Sequence, residues 1–168
     1  ILRIWDGQSG KSLAVLKGHT DSVSGANLLP DGRILSWSYD HTLRIWHGVL
    51  GKPLAVLEGH FDDGIGAGID GVEILEDGNI LSFSGGDSTI RIWNAQFTGL
   101  FEAQEHSNFV QTKLLPGGRI LSWSSDHTLR IWDGRSGESL AVLKGHTNGV
   151  YGALALSDDR ILSWSGDH

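Results

Sequence analysis

The chain has 168 residues, 39% of them hydrophobic and 20% charged, with 24 Gly, 7 Trp and neither Cys nor Met. Thirteen Lys and Arg against twenty Asp and Glu leave a formal charge of −7, which argues against the cationic face that a nucleic-acid-binding surface needs. Without Cys, disulfides, thiolate zinc sites and thiol nucleophiles are excluded, and no apolar run reaches the roughly 18 residues of a membrane span.

Taken in chain order, the sequence repeats itself. WDGQSGKSLAVLKGHT at 5–20 returns at 132–147 with two changes; DHTLRIW at 40–46 returns at 126–132; RILSWS occurs at 33–38, 119–124 and 160–165. Trp5, Trp46, Trp93 and Trp132 hold one phase, and His19, His60, His106 and His146 hold another. A period near forty residues dictates a repeat architecture. From Trp132 to the last residue and on to Trp5 is 41 residues, and the junction of His168 with Ile1 reads SGDH-ILRIWDG against SYDH-TLRIWHG at 38–48. The two ends thus complete one repeat.

Within a unit the predicted strands are Ser12–Leu16, Ser22–Leu29, Ile34–Ser38, Thr42–Trp46 and Pro53–Leu57, rich in Val, Ile, Leu and Trp and too short for helices. Turns fall at Pro30-Asp31-Gly32, Tyr39-Asp40-His41 and His47-Gly48. The consecutive apolar residues of LAVLKG predict a strand covered on both faces. The expected class is all-β, in four-stranded antiparallel meanders.

A His preceded by Gly in three of four units, a Ser-x-Ser strand, an Asp and, six residues later, a Trp that Asp follows at Trp5 and Trp132 resemble the WD-repeat β-propeller family, and most of all its highly repetitive bacterial members. The resemblance implies four-stranded blades, strands a to d running outward from a central channel. Strands c and d then lie at 1–17, blades at about 18–58, 59–104 and 105–144, and strands a and b at 145–168. The chain opens on strand c at Ile1–Trp5 and closes on strand b at Ile161–Ser165.

Carried over by position, the resemblance implies a buried hydrogen-bonded tetrad in each blade: His19, Ser36, Asp40 and Trp46; His60, Ser82, Asp87 and Trp93, where one residue is added before Asp87; His106, Ser122, Asp126 and Trp132; and His146, Ser163 and Asp167 with Trp5 borrowed from the other end of a chain. A hydrolase would use one such set and add an oxyanion hole, so no catalytic residue is assigned. Trp37, Phe83, Trp123 and Trp164 face away from the tetrad serines and are expected to pack between blades. Arg3, Arg44, Arg91 and Arg130 are expected as a solvated or inter-blade rim. His41, His127 and His168, with His47, invite a metal reading, but equivalent positions in a ring lie far apart. No metal or cofactor is expected.

Departures from the repeat are the better functional leads. Residues 61–70 lengthen the loop before strand a of the second full blade, so Phe61, Asp62, Asp63, Ile65 and Asp70 form the candidate binding loop. Its Gly66, Gly68 and Gly71 match G-x-G-x-x-G, a decoy without the strand–turn–helix context, and its aspartates lack the alternation of a calcium loop. The third blade differs as well: Glu105 replaces Gly before His106, Pro116-Gly117-Gly118 replaces Pro-Asp-Gly, and Phe97, Phe101 and Phe109 are added.

Four blades leave two open sheet edges, which attract pairing. The expected partner is a second copy closing an eight-blade ring by twofold symmetry, with a four-blade monomer or an arc of a longer chain as alternatives. The expected function is a non-catalytic scaffold for an unknown protein or peptide. A structural or sensor module of a multidomain protein and a carbohydrate- or small-ligand-binding propeller are the alternatives. A start at Ile1 reads as a piece cut from a larger protein. No leader is recognisable, which gives a cytoplasmic default.

Overall fold

The computed structural model describes residues 1–61, 68–94, 100–103, 106–108 and 110–167, with 100–103 described as backbone only. Sixteen strands occupy them. Strands β1 (Leu2–Trp5) and β2 (Ser12–Leu16) form a two-stranded sheet. Strands β3 (Val23–Leu28), β4 (Ile34–Ser38), β5 (Thr42–Trp46) and β6 (Pro53–Glu58) form a four-stranded one. The second is β7 (Gly71–Ile74), β8 (Ile80–Ser84), β9 (Thr89–Trp93) and β10 (Leu100–Ala103). The third is β11 (Val110–Leu115), β12 (Arg119–Ser124), β13 (Leu129–Asp133) and β14 (Ser139–Leu143). Strands β15 (Val150–Ala155) and β16 (Ile161–Ser165) close the chain as another pair. Every pairing is antiparallel between sequence neighbours.

The core lies between consecutive sheets. Leu35, Leu43, Ile45 and Leu57 of the first meet Ile80 and Trp93 of the second and Ile69 of the loop before β7. Leu81, Ile90 and Ile92 of the second meet Val110, Ile120 and Trp132 of the third. Leu121 and Leu129 of the third meet Val150 and Ala153 of β15. Each interface between complete sheets therefore contains a tryptophan from the later sheet, and the last one does not. Trp37, Phe83 and Trp123 are partly buried against these clusters, one to each, whereas Trp164 is 45% exposed.

One expectation needs correction. The LAVL strands are not covered on both faces. β2, β6 and β14 are outer strands that turn Leu13, Val15, Leu54, Val56, Leu140 and Val142 to solvent and send Leu16 and Leu57 inward. Of the two places expected for the strand-c arginines, Arg44 and Arg91 take the one between sheets, while Arg3 is exposed. Arg91 is buried, and its guanidinium lies so close to Gly59 that an added Cβ would come within 2.8 Å of Nη1; Arg44 stands over Gly18 in the same way at 2.6 Å.

Among the described residues, β1 and β16 each pair on one side only and not with each other. Ile1 and Trp5 at one end and Leu162 and Trp164 at the other are exposed. No helix among the described residues is long and apolar enough to cross a membrane.

Candidate functional site

Three of the four recurring sets of polar residues assemble alike. Trp46 on β5 donates its indole Nε1–H to Ser36 Oγ on β4 at 2.9 Å. Ser36 Oγ lies 2.8 Å from His19 Nε2, and His19 Nδ1 lies 2.9 Å from Asp40 Oδ2. With the imidazole neutral, one direction of donation satisfies every proton: indole to serine, serine to Nε2, Nδ1–H to carboxylate. In the second sheet the corresponding distances are 2.8 Å from Trp93 to Ser82, 2.7 Å from Ser82 to His60 and 2.8 Å from His60 to Asp87. In the third they are 2.8 Å from Trp132 to Ser122, 2.7 Å from Ser122 to His106 and 2.9 Å from His106 to Asp126. The residue inserted before Asp87 leaves this geometry intact.

Two partners are not singled out by the sequence. Thr42, Thr89 and Thr128, two residues after the aspartate, each donate Oγ1–H to its Oδ1 at 2.7 Å. The backbone N–H following each histidine, from Thr20, Phe61 or Ser107, donates to Oδ2. The signal is present as D-x-T in three units, but threonine in a strand reads as β propensity. Burial raises the pKa of Asp40, and the hydrogen bonds from Thr42, Thr20 and His19 outweigh it, bringing it down to about 2. Asp87 and Asp126 move down for the same balance of causes. Burial holds the His19 imidazole below its ordinary range, against the pull of Asp40.

The fourth set differs. His146 Nδ1 is 2.8 Å from Asp167 Oδ2, and Nε2 is 2.8 Å from Ser163 Oγ. Thr147 N–H donates to Asp167 at 2.9 Å, and this bond, followed by that from His146, lowers the carboxyl pKa. Trp5 does not join them: it is 56% exposed, with the Arg3 guanidinium 5.8 Å from its ring centre.

A serine–histidine–aspartate relay is what a hydrolase uses, but Ser36, Ser82 and Ser122 are 0% exposed, each under an indole that already donates to its oxygen. A nucleophile so placed meets no substrate.

Register exposes a second device that the sequence conceals. Gly25 pairs with Trp37, Gly71 with Phe83 and Gly152 with Trp164. A Cβ at these glycines would stand 2.1–2.3 Å from the ring opposite. In the third sheet Gln111 faces Trp123 instead, and the indole donates to Gln111 Oε1 at 3.1 Å.

Of the candidate loop, Asp62, Asp63 and Ile65 lie outside the described residues, as do Gly66, Phe97, Phe109, Glu105 and His168 and the side chain of Phe101. Phe61 is half exposed. Asp70 accepts the Gly85 N–H at 2.5 Å, and Ile69 is buried in the first core cluster. The end of the loop is therefore packed between the first and second sheets. Among the described residues, no three His, Cys, Asp or Glu side chains gather closely enough to hold a metal ion.

The family described as WD domain, G-beta repeat matches residues 10–47 and 51–94. The chain is a WD-repeat protein. Over 133 residues, 74% of the chain, it is 35% identical to ribosome biogenesis protein YTM1 of Coccidioides immitis, of which it spans 28%. It is 29% identical over 165 residues to nuclear distribution protein PAC1 of Arthroderma benhamiae, covering 85% of the chain and 36% of that protein. The chain thus spans well under half the length of either relative. The WD40 beta propeller domain of Doa1 superposes with a TM-score of 0.66 at 24% identity, over 97% of this chain and 53% of that one. The computationally designed Ika8 protein superposes with a TM-score of 0.71 at 20% identity, over 97% and 49%. The sheets of this WD-repeat chain thus have the form of propeller blades, a generic scaffold fold for protein interaction.

Proposed function

We propose that this chain is a non-catalytic interaction scaffold that works as one half of an eight-blade ring. The observation that carries the reading is the repetition of one closed relay. Each recurring serine, histidine and aspartate in the three complete sheets is engaged in an equivalent hydrogen bond beneath a tryptophan, which leaves the surface loops free to vary. The relay is a structural device on this reading, fixing loop to strand in each blade. The segments that depart from the repeat, 61–70 and the third blade, are where a protein or peptide partner is recognised. Two half-blades in one chain are completed by a second copy, under twofold symmetry. That the chain matches about half the length of its two structural neighbours is in keeping with it.

Two measurements test this. Sedimentation expects twice the 18.2 kDa chain mass; a species of single-chain mass at every concentration removes the ring. Selection from a peptide library expects binders that are lost when residues 62–67 are deleted; enrichment no greater than on an unrelated propeller removes the recognition loop.

A further inference from the structure

The open end of the last sheet has a shape that can be read from the complete sheets. A groove of about 350 Å³ is lined by Leu129, Leu143, Lys144, Gly145, His146, Ile161 and Ser163. Two contacts at the groove and one beyond the end of β1 are unmade, and each has filled counterparts elsewhere in the chain.

Ser163 is the first. Its equivalents Ser36, Ser82 and Ser122 each accept an indole N–H from strand c. The core cluster beside Ser163 is correspondingly the one without a strand-c tryptophan. Gly145 is the second. An added Cβ at Gly18 or Gly59 would meet an arginine of strand c, whereas at Gly145 it would meet nothing within 4 Å. Gly7 is the third. Its equivalents Gly48 and Gly134 sit against the carbonyls of Gly32 and Gly118, so that a Cβ would fall 1.9 Å and 2.3 Å away; at Gly7 nothing lies within 4 Å. The carbonyl equivalent to those of Gly32 and Gly118 belongs to Asp159, whose φ is likewise positive, 62°, on the turn leading into β16.

One segment carries all the missing groups. β1 reads Leu-Arg-Ile-Trp, identical to Leu43–Trp46 and Leu129–Trp132. It has a free edge, an exposed Trp5 and an Arg3 already stacked at the spacing that Arg130 keeps from Trp132, 5.8 Å. Because β1 and β16 of one chain do not pair, we infer that the groove beside Ser163 is the docking site for β1 of a second copy of this chain, with the Trp5 indole on Ser163, Arg3 over Gly145 and Gly7 against the Asp159 carbonyl. The inference rests on the ring reading and gives it a seam.

The test uses the full chain and its variants in sedimentation, with circular dichroism to report folding. Gly7→Val adds a side chain where the single chain has open space and the seam has none. It keeps the wild-type spectrum and stays monomeric at concentrations where wild type assembles. Trp5→Phe and Ser163→Ala each weaken assembly about thirtyfold, as loss of two hydrogen bonds does, one at each seam of the twofold dimer, and the double variant is no weaker than the worse single. Assembly of Gly7→Val at wild-type strength, or equal weakening by Trp5→Phe with and without Ser163→Ala, overturns the docking site while leaving the ring intact. A wild-type chain that never assembles overturns the ring itself. If Gly7→Val also lowers the melting temperature of that monomer, β1 has closed on its own chain.

Discussion

Trp46 and Ser36 are joined by an indole N–H to hydroxyl hydrogen bond of 2.9 Å with neither side chain exposed to solvent. Such a donor cannot turn to water when its acceptor is lost. Trp46→Phe removes the N–H together with part of the buried bicycle, so its cost joins a lost hydrogen bond to a small cavity. We expect a loss of about 2 kcal/mol, read as a fall of roughly 4–8 °C in melting temperature for a chain of this size. Trp5→Phe, measured on dilute dissociated chain, is expected to leave melting unchanged, because Trp5 is already exposed. Equal effects at the two positions would show that the hydrogen bond carries no stability.

Asp126 gathers four donors: His106 Nδ1–H, the Ser107 N–H, and both the N–H and Oγ1–H of Thr128. Asp126→Ala leaves them without an acceptor in a site where the carboxylate side chain is 9% exposed. The expected cost is roughly 3 kcal/mol, with a clear drop in the urea midpoint. A variant that unfolds at the wild-type midpoint would sink the structural role of the relay.

How much of this is legible in the sequence depends on the kind of constraint. The relay residues can be placed because each sits at a fixed offset in near-identical units, so four copies vouch for one another. The strand order follows from the turns. The outer strand is misread because consecutive apolar residues look the same whether a strand is central or at an edge. Leu13 and Leu54 face solvent although they sit in the same run as Leu16 and Leu57. The contribution of Thr42 is missed because its hydroxyl is used across a turn, where strand propensity gives no hint. The pairing of Gly25 with Trp37 is invisible for another reason. The two residues are twelve apart, and only the bulged register of β3 on β4 brings them face to face.

That pairing makes its own prediction. A Cβ on Gly25 would stand 2.3 Å from Trp37 Cζ2, and the ring is held on its other side by the first core cluster. Replacing a strand glycine by alanine ordinarily gains roughly 0.5–1 kcal/mol. Here Gly25→Ala is expected to lose roughly 1–3 kcal/mol by overpacking. Adding Trp37→Leu should recover part of the loss specific to the alanine. Thermal melts of the four chains in this cycle decide it: a stabilised Gly25→Ala single variant would mean that the indole moves aside freely.

Acid should unfold the chain by a route set by the same relay. The Asp40 carboxyl has a native pKa of about 2 against 3.8 for the free side chain. Unfolded chain therefore binds a proton there before native chain does. The stability it contributes is fully present above about pH 4 and is lost as pH falls from there through 2. His19 acts in the same direction at a higher pH. Its native pKa lies below 6.5, so on acidification through 6.5 the unfolded imidazole takes up a proton that the native one resists. Stability then falls with pH in two stages, one beginning near 6.5 and one near 4. Urea midpoints measured from pH 8 to pH 3 should show both. Removing the histidine with His19→Gln, which keeps a hydrogen-bonding side chain, should reduce the upper stage and leave the lower one. A midpoint that stays level between pH 7 and pH 5 would mean that the relay histidine is as easily charged in the blade as in water.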